Sequence, residues 1–279
     1  MKNRGFVPSA ARAALCAAVL LPVFSAPASG ACPDGLRIVG LTGDQRLIGW
    51  TEDRPGGATR IGPVTGLSGD NRLMGIDFRP ATGELWGLGN AGGLYTINAS
   101  NGQATFRSLL SVPLEGAGFD IDFNPTVDRL RIVSTTGQNL RVNVDTGAAT
   151  VDTPLTYTGP ALGIGGAAYT NNDLDAETST TLFVIDSNLD QVAIQAPPNN
   201  GNLNVTGKLA ADVNPNVGFD VYSQLTGSRT TDNCAFAALT TEGSAKFYSI
   251  SLLTGQATLR GAFRPANQVI DIAVPQGQP

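Results

Sequence analysis

The chain has 279 residues, with 18 Lys and Arg against 23 Asp and Glu, three cysteines and no histidine. The absence of histidine excludes catalytic triads, general bases and metal sites that depend on imidazole. An acidic chain without a run of Lys or Arg is also a poor binder of nucleic acid, since phosphate contacts need clustered cations.

The first 31 residues have the order of features that defines a secretory signal peptide. Three cations, Lys2, Arg4 and Arg12, precede an apolar run over residues 13–24 that is too short to stay in a bilayer, and small residues follow. The sequence therefore predicts residues 1–31 as a signal peptide and 32–279 as one secreted or periplasmic domain. Removal of the signal changes the formal net charge from −5 to −8. Lipid anchoring through Cys32 is the alternative, although residues 29–31 lack the usual large apolar residue.

A pattern of four short strands recurs along the rest of the chain, with Val, Ile, Leu, Phe and Tyr runs separated by glycine-containing turns. Copies open at Gly75-Ile-Asp-Phe-Arg-Pro, Asp120-Ile-Asp-Phe-Asn-Pro, Gly165-Gly-Ala-Ala-Tyr and Gly218-Phe-Asp-Val-Tyr. They begin about 45–53 residues apart, near the period of known propeller blades. The pattern indicates an all-β fold in which each copy forms one four-stranded antiparallel blade.

The two ends of the mature chain are incomplete copies that complement each other. Leu36–Leu41, 46–50 and 59–62 match the second, third and fourth strands of a copy, whereas Val269–Val274 matches a first strand alone. The sequence therefore predicts a five-bladed β-propeller whose C-terminal strand completes the N-terminal blade and closes the ring. A β-solenoid would need shorter and more regular rungs, and a β-sandwich would not explain the divided terminal copy.

Several segments resemble a bacterial secreted family known as domain of unknown function 4394. The segments are Leu73–Gly89, Phe119–Thr146 and Ala167–Gln195, and within them Gly75-Ile-Asp-Phe-Arg-Pro-Ala-Thr-Gly, Asp122-Phe-Asn-Pro-Thr-Val-Asp-Arg, Thr136-Gly-Gln-Asn-Leu-Arg and Ala168-Tyr-Thr-Asn-Asn look like its hallmarks. The resemblance covers nearly the whole mature chain. It implies export and a propeller-like fold, but the family has no established activity to carry over.

Aspartates recur on the predicted first strands, which line the axis of a propeller. When the copies are aligned, the aspartates are Asp77, Asp122, Asp220 and Asp271, and the third copy has Ala168 instead. Three roles are open: a buried acceptor of backbone N–H groups, a ligand or Ca²⁺ site built from oxygen ligands, or a catalytic carboxylate pair of a glycosidase. Repetition favours the first, because packing is needed in every blade and a catalytic group only once.

A second possible Ca²⁺ loop is Asp186-Ser-Asn-Leu-Asp190, which has alternating oxygen ligands. It lacks the glycine and the final glutamate of a calcium loop, and Asp-Ser-Asn is ordinary turn chemistry. We therefore interpret it as a turn.

Polar residues concentrate in the second copy, and they are Asn124, Arg129, Arg131, Gln138, Asn139 and Arg141. Arg131 and Arg141 lie at similar depth on paired strands. A buried arginine needs an anionic partner, for which Asp122 or a carboxylate of a neighbouring blade is the candidate. The alternative is an arginine pocket for an anionic ligand.

The leading functional hypothesis is an exported binding or interaction module, expected to be monomeric, for an unknown protein or carbohydrate ligand. A hydrolase that uses the inner-strand aspartates, with or without Ca²⁺, is the second hypothesis, and a structural surface or matrix protein is the third. Catalysis is not favoured, and no cofactor other than Ca²⁺ and no transmembrane segment is expected.

A disulfide between Cys32 and Cys234 is predicted from the ring. Cys16 lies in the signal, so these two cysteines remain in the mature chain. They precede or begin second strands in the N-terminal and last complete blades, which are neighbours only if the ring closes. Export places them in an oxidising compartment, where such a pair forms a disulfide. The alternative is that Cys234 is a small buried core residue and that Cys32 lies in a mobile or lipid-anchored terminus.

Overall fold

The computed structural model describes Met1 and residues 32–175 and 177–278. Apart from Met1, the predicted signal peptide, residues 1–31, lies outside the described part of the chain. No helix in the described residues has the length and apolarity that a membrane crossing requires.

Twenty β-strands and two single 3₁₀ turns, Pro55–Gly57 and Pro198–Asn200, make up the regular structure of the described residues. The first ten strands are β1 (Arg37–Thr42), β2 (Arg46–Thr51), β3 (Thr59–Pro63), β4 (Leu73–Phe78), β5 (Leu85–Gly89), β6 (Gly93–Ile97), β7 (Ala104–Leu109), β8 (Phe119–Asn124), β9 (Arg129–Ser134) and β10 (Asn139–Val142). The others are β11 (Ala149–Val151), β12 (Ile164–Tyr169), β13 (Leu182–Asp186), β14 (Gln191–Gln195), β15 (Leu203–Lys208), β16 (Val217–Thr226), β17 (Arg229–Thr241), β18 (Ser244–Ile250), β19 (Ala257–Ala262) and β20 (Val269–Ala273).

The strands form five four-stranded antiparallel sheets, which are the five blades of a propeller. Blade 1 has the order β20-β1-β2-β3, and blades 2 to 5 are β4–β7, β8–β11, β12–β15 and β16–β19. β20 pairs with β1, with Ile272 opposite Gly40 and Asp271 opposite Leu41. The predicted closure of the ring by the C-terminal strand is confirmed, and so is the number of blades.

The core is divided among the five contacts between neighbouring blades, each of which has its own cluster of buried apolar side chains. Between blades 1 and 5, for example, Trp50 packs edge-on against Phe247 and Phe263. The cluster between blades 3 and 4 is unusual, because among its described residues the strands of blade 3 contribute only Val133. On the side of blade 3, the buried polar side chains of Arg131 and Asn139 contact blade 4 instead.

Blade 5 differs from the sequence prediction in the length of its inner hairpin. β16 and β17 remain paired as far as Thr226 and Arg229, with a register shift after Gln224, so Cys234 lies within β17, opposite Tyr222, rather than at its start. The polar residues before Cys234 conceal this extension, because they lack the apolar run used to locate strands. The predicted disulfide is nevertheless present: Cys32 is bonded to Cys234 with a Cα–Cα distance of 5.7 Å, which joins blades 1 and 5.

Candidate functional site

Five aspartates of the inner strands surround the axis, and all are buried. They are Asp77, Asp120, Asp122, Asp220 and Asp271. Alternation along a strand places residues two apart on the same face, so Asp120 and Asp122 of β8 both point inward. The sequence analysis did not predict Asp120 as an axial residue, although its spacing of two from Asp122 indicates that both side chains lie on the same face of the strand.

Each of these carboxylates accepts a hydrogen bond from a backbone N–H of the next blade. Asp77, Asp122 and Asp220 accept from Phe123, Tyr169 and Val274 at 2.8, 3.0 and 2.6 Å. Asp120 and Asp271 accept from Ala167 and Ile76 at 2.7 and 2.6 Å. β12 carries Ala168 in place of an aspartate, and at its contact with blade 5 Asn172 binds Ser223 and Val221 instead. The carboxylates therefore have the contacts expected of side chains that hold neighbouring blades together by hydrogen bonds.

The five carboxylates lie at two levels along the axis. The sequence alignment assigned Asp271 to the level of Asp122, but in the structure it lies at the other level, with Asp120. Asp122 binds Tyr169, whereas Asp120 binds Ala167, two residues earlier on the same strand. Asp271 binds Ile76, which holds in β4 the place of Ala167 in β12, so it shares the level of Asp120. The alignment of Asp271 with Asp77, Asp122 and Asp220 was therefore wrong by two residues. The repeated apolar-Asp-apolar motif fits either register equally well.

The axial carboxylates are poor acids. Burial raises the pKa of Asp77, Asp120, Asp122 and Asp271 well above the ordinary value, and nearby carboxylates raise it further. Burial also raises the pKa of Asp220 to about 7. These shifts favour protonated carboxyl groups, since several charges cannot share a small volume of low polarity.

A cation would be the other means of neutralising this cluster. Oxygens of Asp77, Asp122 and Asp220 all lie within 4.8 Å of one another, and carboxylate oxygens are the ligands that Ca²⁺ prefers. Each of the three already accepts a backbone N–H bond, however, so the geometry does not require an ion. The Ca²⁺ hypothesis remains a prediction.

The axis gives little support to the glycosidase hypothesis. Hydrolysis of a glycoside needs two carboxyl groups that reach a substrate. The five axial aspartates are each no more than 5% exposed and bonded to backbone donors.

The segment from Asp186 to Asp190 is a turn, as interpreted from the sequence. Asp186 is fully buried, and its Oδ1 accepts the backbone N–H groups of Asn188 and Leu189. Its Oδ2 accepts the hydroxyl of Tyr157 at 3.0 Å. The carboxylate thus caps its own turn.

Arg131 occupies a position that three of the other blades fill with an aromatic side chain. In the registers of blades 2, 4 and 5, Asp77 faces Trp86, Ala168 faces Phe183 and Asp220 faces Phe236. In blade 3 the corresponding pair is Asp122 and Arg131, and Arg131 is only 1% exposed. Blade 3 therefore buries a cation at a place where the fold itself needs only an apolar ring.

The contacts of Arg131 use almost all of its N–H groups. Nη1 donates to Asp152 and Asn139 at 2.8 and 2.7 Å, Nη2 donates to Asn199 at 2.9 Å, and Nε donates to the Tyr169 hydroxyl at 3.3 Å. Both predicted partners, Asp122 and a carboxylate of a neighbouring blade, were wrong. The partner is Asp152, which follows the short strand β11 and folds back beside both arginines, and no repeat pattern in the sequence marks it.

Arg141 shares Asp152 with Arg131 but faces solvent. It binds both carboxylate oxygens of Asp152, at 2.7 and 2.9 Å, and this ion pair raises the pKa of the Arg141 guanidinium. Its side chain is 36% exposed. Arg129, on the same strand as Arg131, bonds only backbone carbonyls among the described residues, those of Val127 and Asp128.

These groups line a cavity of about 350 Å³ between blades 3 and 4, which we call the arginine pocket. Its lining residues are Asn124, Val127, Arg129, Arg131, Arg141, Tyr169, Pro198 and Asn199. Three arginines thus line the pocket, and two of them, Arg131 and Arg141, bond the carboxylate of Asp152. Gln138 lies apart from the pocket and ties down the connection between β7 and β8 through Pro113 and Glu115. The sequence did not single out Asp152, Tyr169 or Asn199.

Comparison with known proteins supports the fold and the family but assigns no activity. One chain from a crystal structure of a nidogen/laminin complex superposes with a TM-score of 0.50 at 9% identity, over 88% of this chain and 99% of that one, a likeness of fold alone. A structural genomics protein of unknown function from Bacteroides thetaiotaomicron VPI-5482 superposes with a TM-score of 0.48 at 12% identity, over 89% of this chain and 67% of that one. No curated protein matches the sequence. A family model matches residues 46–273, and the chain therefore belongs to the family described as domain of unknown function (DUF4394).

Proposed function

We propose that the protein is a binding module that works outside the cytoplasm and holds a small organic anion in the arginine pocket. The observation that carries the proposal is the position of Arg131. A buried ion pair at a site where three other blades bury an aromatic ring is not needed for the fold, and an apolar replacement of such a pair is often neutral or stabilising. Its presence in one blade alone is what a binding site, needed once, would produce.

The charges of the pocket support an anionic ligand. Asp152 neutralises one of the three arginines, so the cavity retains an excess of positive charge in a protein of negative net charge. Arg131 is bonded on nearly every side and acts as a positioning residue for Asp152, Tyr169 and Asn199. Arg141 and Arg129 retain free N–H groups and are the candidates for direct contact with the ligand.

The volume of the pocket and the apolar residues at its entrance favour a small molecule over a polymer chain. A cavity of about 350 Å³ is at the lower end of the range for small-molecule sites. Val127 and Pro198 supply apolar surface at its edge, which suits the carbon skeleton of the anion. The disulfide between Cys32 and Cys234 supports an oxidising compartment as the place of action.

A thermal-shift screen tests the proposal. Succinate, glucuronate and inorganic phosphate serve as probes, and succinamide serves as a neutral match for succinate. A ligand of the native state raises the apparent melting temperature by mass action. We expect at least one of the anions to raise it at millimolar concentration while succinamide does not. Equal responses to succinate and succinamide, with none to the other anions, would contradict the proposal.

A further inference from the structure

The contact between blades 1 and 2 contains a cleft in the place that the arginine pocket occupies between blades 3 and 4. In blade 1, Val39 pairs with Gly49 just as Arg131 pairs with Arg141 in blade 3. Arg37 precedes Val39 by two residues, as Arg129 precedes Arg131.

The wall supplied by the next blade corresponds as well. Phe78 lies at the end of the inner strand of blade 2, as Tyr169 does in blade 4. Ala99 and Ser100 lie between the third and fourth strands of blade 2, as Pro198 and Asn199 do in blade 4. The two clefts are therefore related by the repeat of the ring.

The substitutions between the two clefts change both size and chemistry. Valine and glycine replace two arginines, so the cleft between blades 1 and 2 opens to about 1030 Å³. Its interior is apolar, with Val39 of blade 1 and Phe78 of blade 2 in its walls. Ile61 and Ala99 are partly buried against the same apolar cluster.

The rim of this cleft is cationic. Three arginines line it, Arg37, Arg54 and Arg60, and its lining contains no Asp or Glu. Arg54 lies 3.2 Å from Asp53, whereas neither Arg37 nor Arg60 has a carboxylate partner within the described part of the chain. The Gln278 side chain bonds the backbone N–H and carbonyl of Arg37 and so fixes the strand end that carries this guanidinium.

We infer that this cleft is a second binding site, which takes a free amphiphile with one acidic head group and an apolar chain. The apolar walls between the blades receive the chain, and the guanidinium groups of Arg37 and Arg60 receive the head group. Charge complementarity selects an anion, since two unpaired arginines stand at the rim of an otherwise acidic protein. The site is independent of the arginine pocket and of the function proposed for it.

Fluorescence quenching tests this inference, because the chain has two tryptophans and Trp50 follows Gly49 on the strand that lines the cleft, with its ring on the other face of that sheet against Phe247 and Phe263. The variant Trp86→Phe leaves Trp50 as the reporter. It places at position 86 the residue that blades 4 and 5 bury at the same register, Phe183 and Phe236, so it should fold. The probe is 11-bromoundecanoate, whose bromine quenches tryptophan at short range, at concentrations below micelle formation.

We expect saturable quenching by 11-bromoundecanoate, little by the neutral 11-bromo-1-undecanol, and none by undecanoate. In the Trp86→Phe background, the double variant Arg37→Gln/Arg60→Gln should weaken binding about 10-fold, as expected for loss of charge-assisted contacts. Arg107→Gln, at an exposed arginine outside the lining of both clefts, is the control and should change it less than about 2-fold. An absence of saturable quenching, equal quenching by the alcohol, or undiminished affinity of the double variant would overturn the inference.

Discussion

The backbone N–H of Val274 donates a hydrogen bond of 2.6 Å to Asp220 at the point where the two ends of the ring meet. It is the same bond that Phe123 makes to Asp77 and Tyr169 makes to Asp122 elsewhere in the ring. The seam of the propeller is therefore built like the other blade contacts: β20 supplies the strand, and Val274, directly after it, supplies the donor.

Removal of residues 269–279 should unfold or aggregate the domain. The deletion exposes the edge of β1 and leaves Asp220 without its partner from the next blade. Circular dichroism and size-exclusion chromatography would detect the loss. A chain that ends at Gln276 retains β20 and serves as the control, and an unchanged melting temperature of the longer deletion would refute the closure.

Asp77→Ala should lower the free energy of unfolding by about 1–3 kcal/mol, because the buried N–H of Phe123 loses its acceptor. Asp77→Asn should cost less, since an amide oxygen can accept the same bond and the shifted pKa already favours a neutral carboxyl group. Urea denaturation measures both. If Asn were as costly as Ala, a charged carboxylate, as in a Ca²⁺ site, would be indicated instead.

The stability of the protein should decrease as the pH rises from about 4 to 8. The axial pKa values are raised in the folded state, so the folded protein binds more protons than the unfolded chain across this range. The stabilisation is complete below the unfolded pKa of Asp and is lost as the pH passes the folded value, which is about 7 for Asp220. Carboxylates with lowered pKa values, such as Asp128 beside Arg79, act in the opposite direction only below about pH 4.

Urea titrations across this range, with EDTA or with Ca²⁺, measure the effect. We expect the chelator and the cation to leave the curve unchanged, because protons neutralise the cluster. Destabilisation by EDTA, or rescue by Ca²⁺ at pH 8, would show that a cation does so instead.

Cys32→Ala should reduce the free energy of unfolding by about 3–5 kcal/mol under oxidising conditions, because the disulfide closes a loop with a sequence separation of 202 residues. The mutation site is exposed, so little packing is lost along with the bond. Denaturation of the wild type under reducing conditions provides the comparison and should agree with the variant. Equal stability of the oxidised wild type and the variant would show that the bridge does not restrain the ring.

The fold was accessible from the sequence because each blade repeats the same apolar pattern and because the terminal copies are complementary. The disulfide followed from the ring, since it alone brings Cys32 and Cys234 into neighbouring blades. The same repetition also misled. The repeated pattern can be aligned so that Asp271 lies at either of two axial levels, because a shift of two residues preserves the alternation of inward and outward side chains along the strand.

The site was less accessible than the fold. Arg131 and Arg141 were recognisable as a pair, and the alignment of Arg131 with Trp86 and Phe183 already contained the signal that one blade is different. Asp152 was not recognisable, because it lies beyond a three-residue outer strand in a connection without a pattern. The cleft between blades 1 and 2 is larger because Gly49 has no side chain where blade 3 has Arg141. This difference is visible only when the two blades are superposed.

Isothermal titration of the wild type, Arg141→Gln and the control Arg107→Gln with succinate, glucuronate and phosphate tests the central claim most directly. Arg141 is partly exposed and Asp152 keeps Arg131, so the variant should fold, while Arg107 is an exposed arginine of blade 2, away from the pocket. We predict that the anion that binds the wild type binds Arg141→Gln at least about 10-fold more weakly and Arg107→Gln unchanged. Equal affinity of all three proteins, or no binding of any of these anions to the wild type, would contradict an anion site between blades 3 and 4.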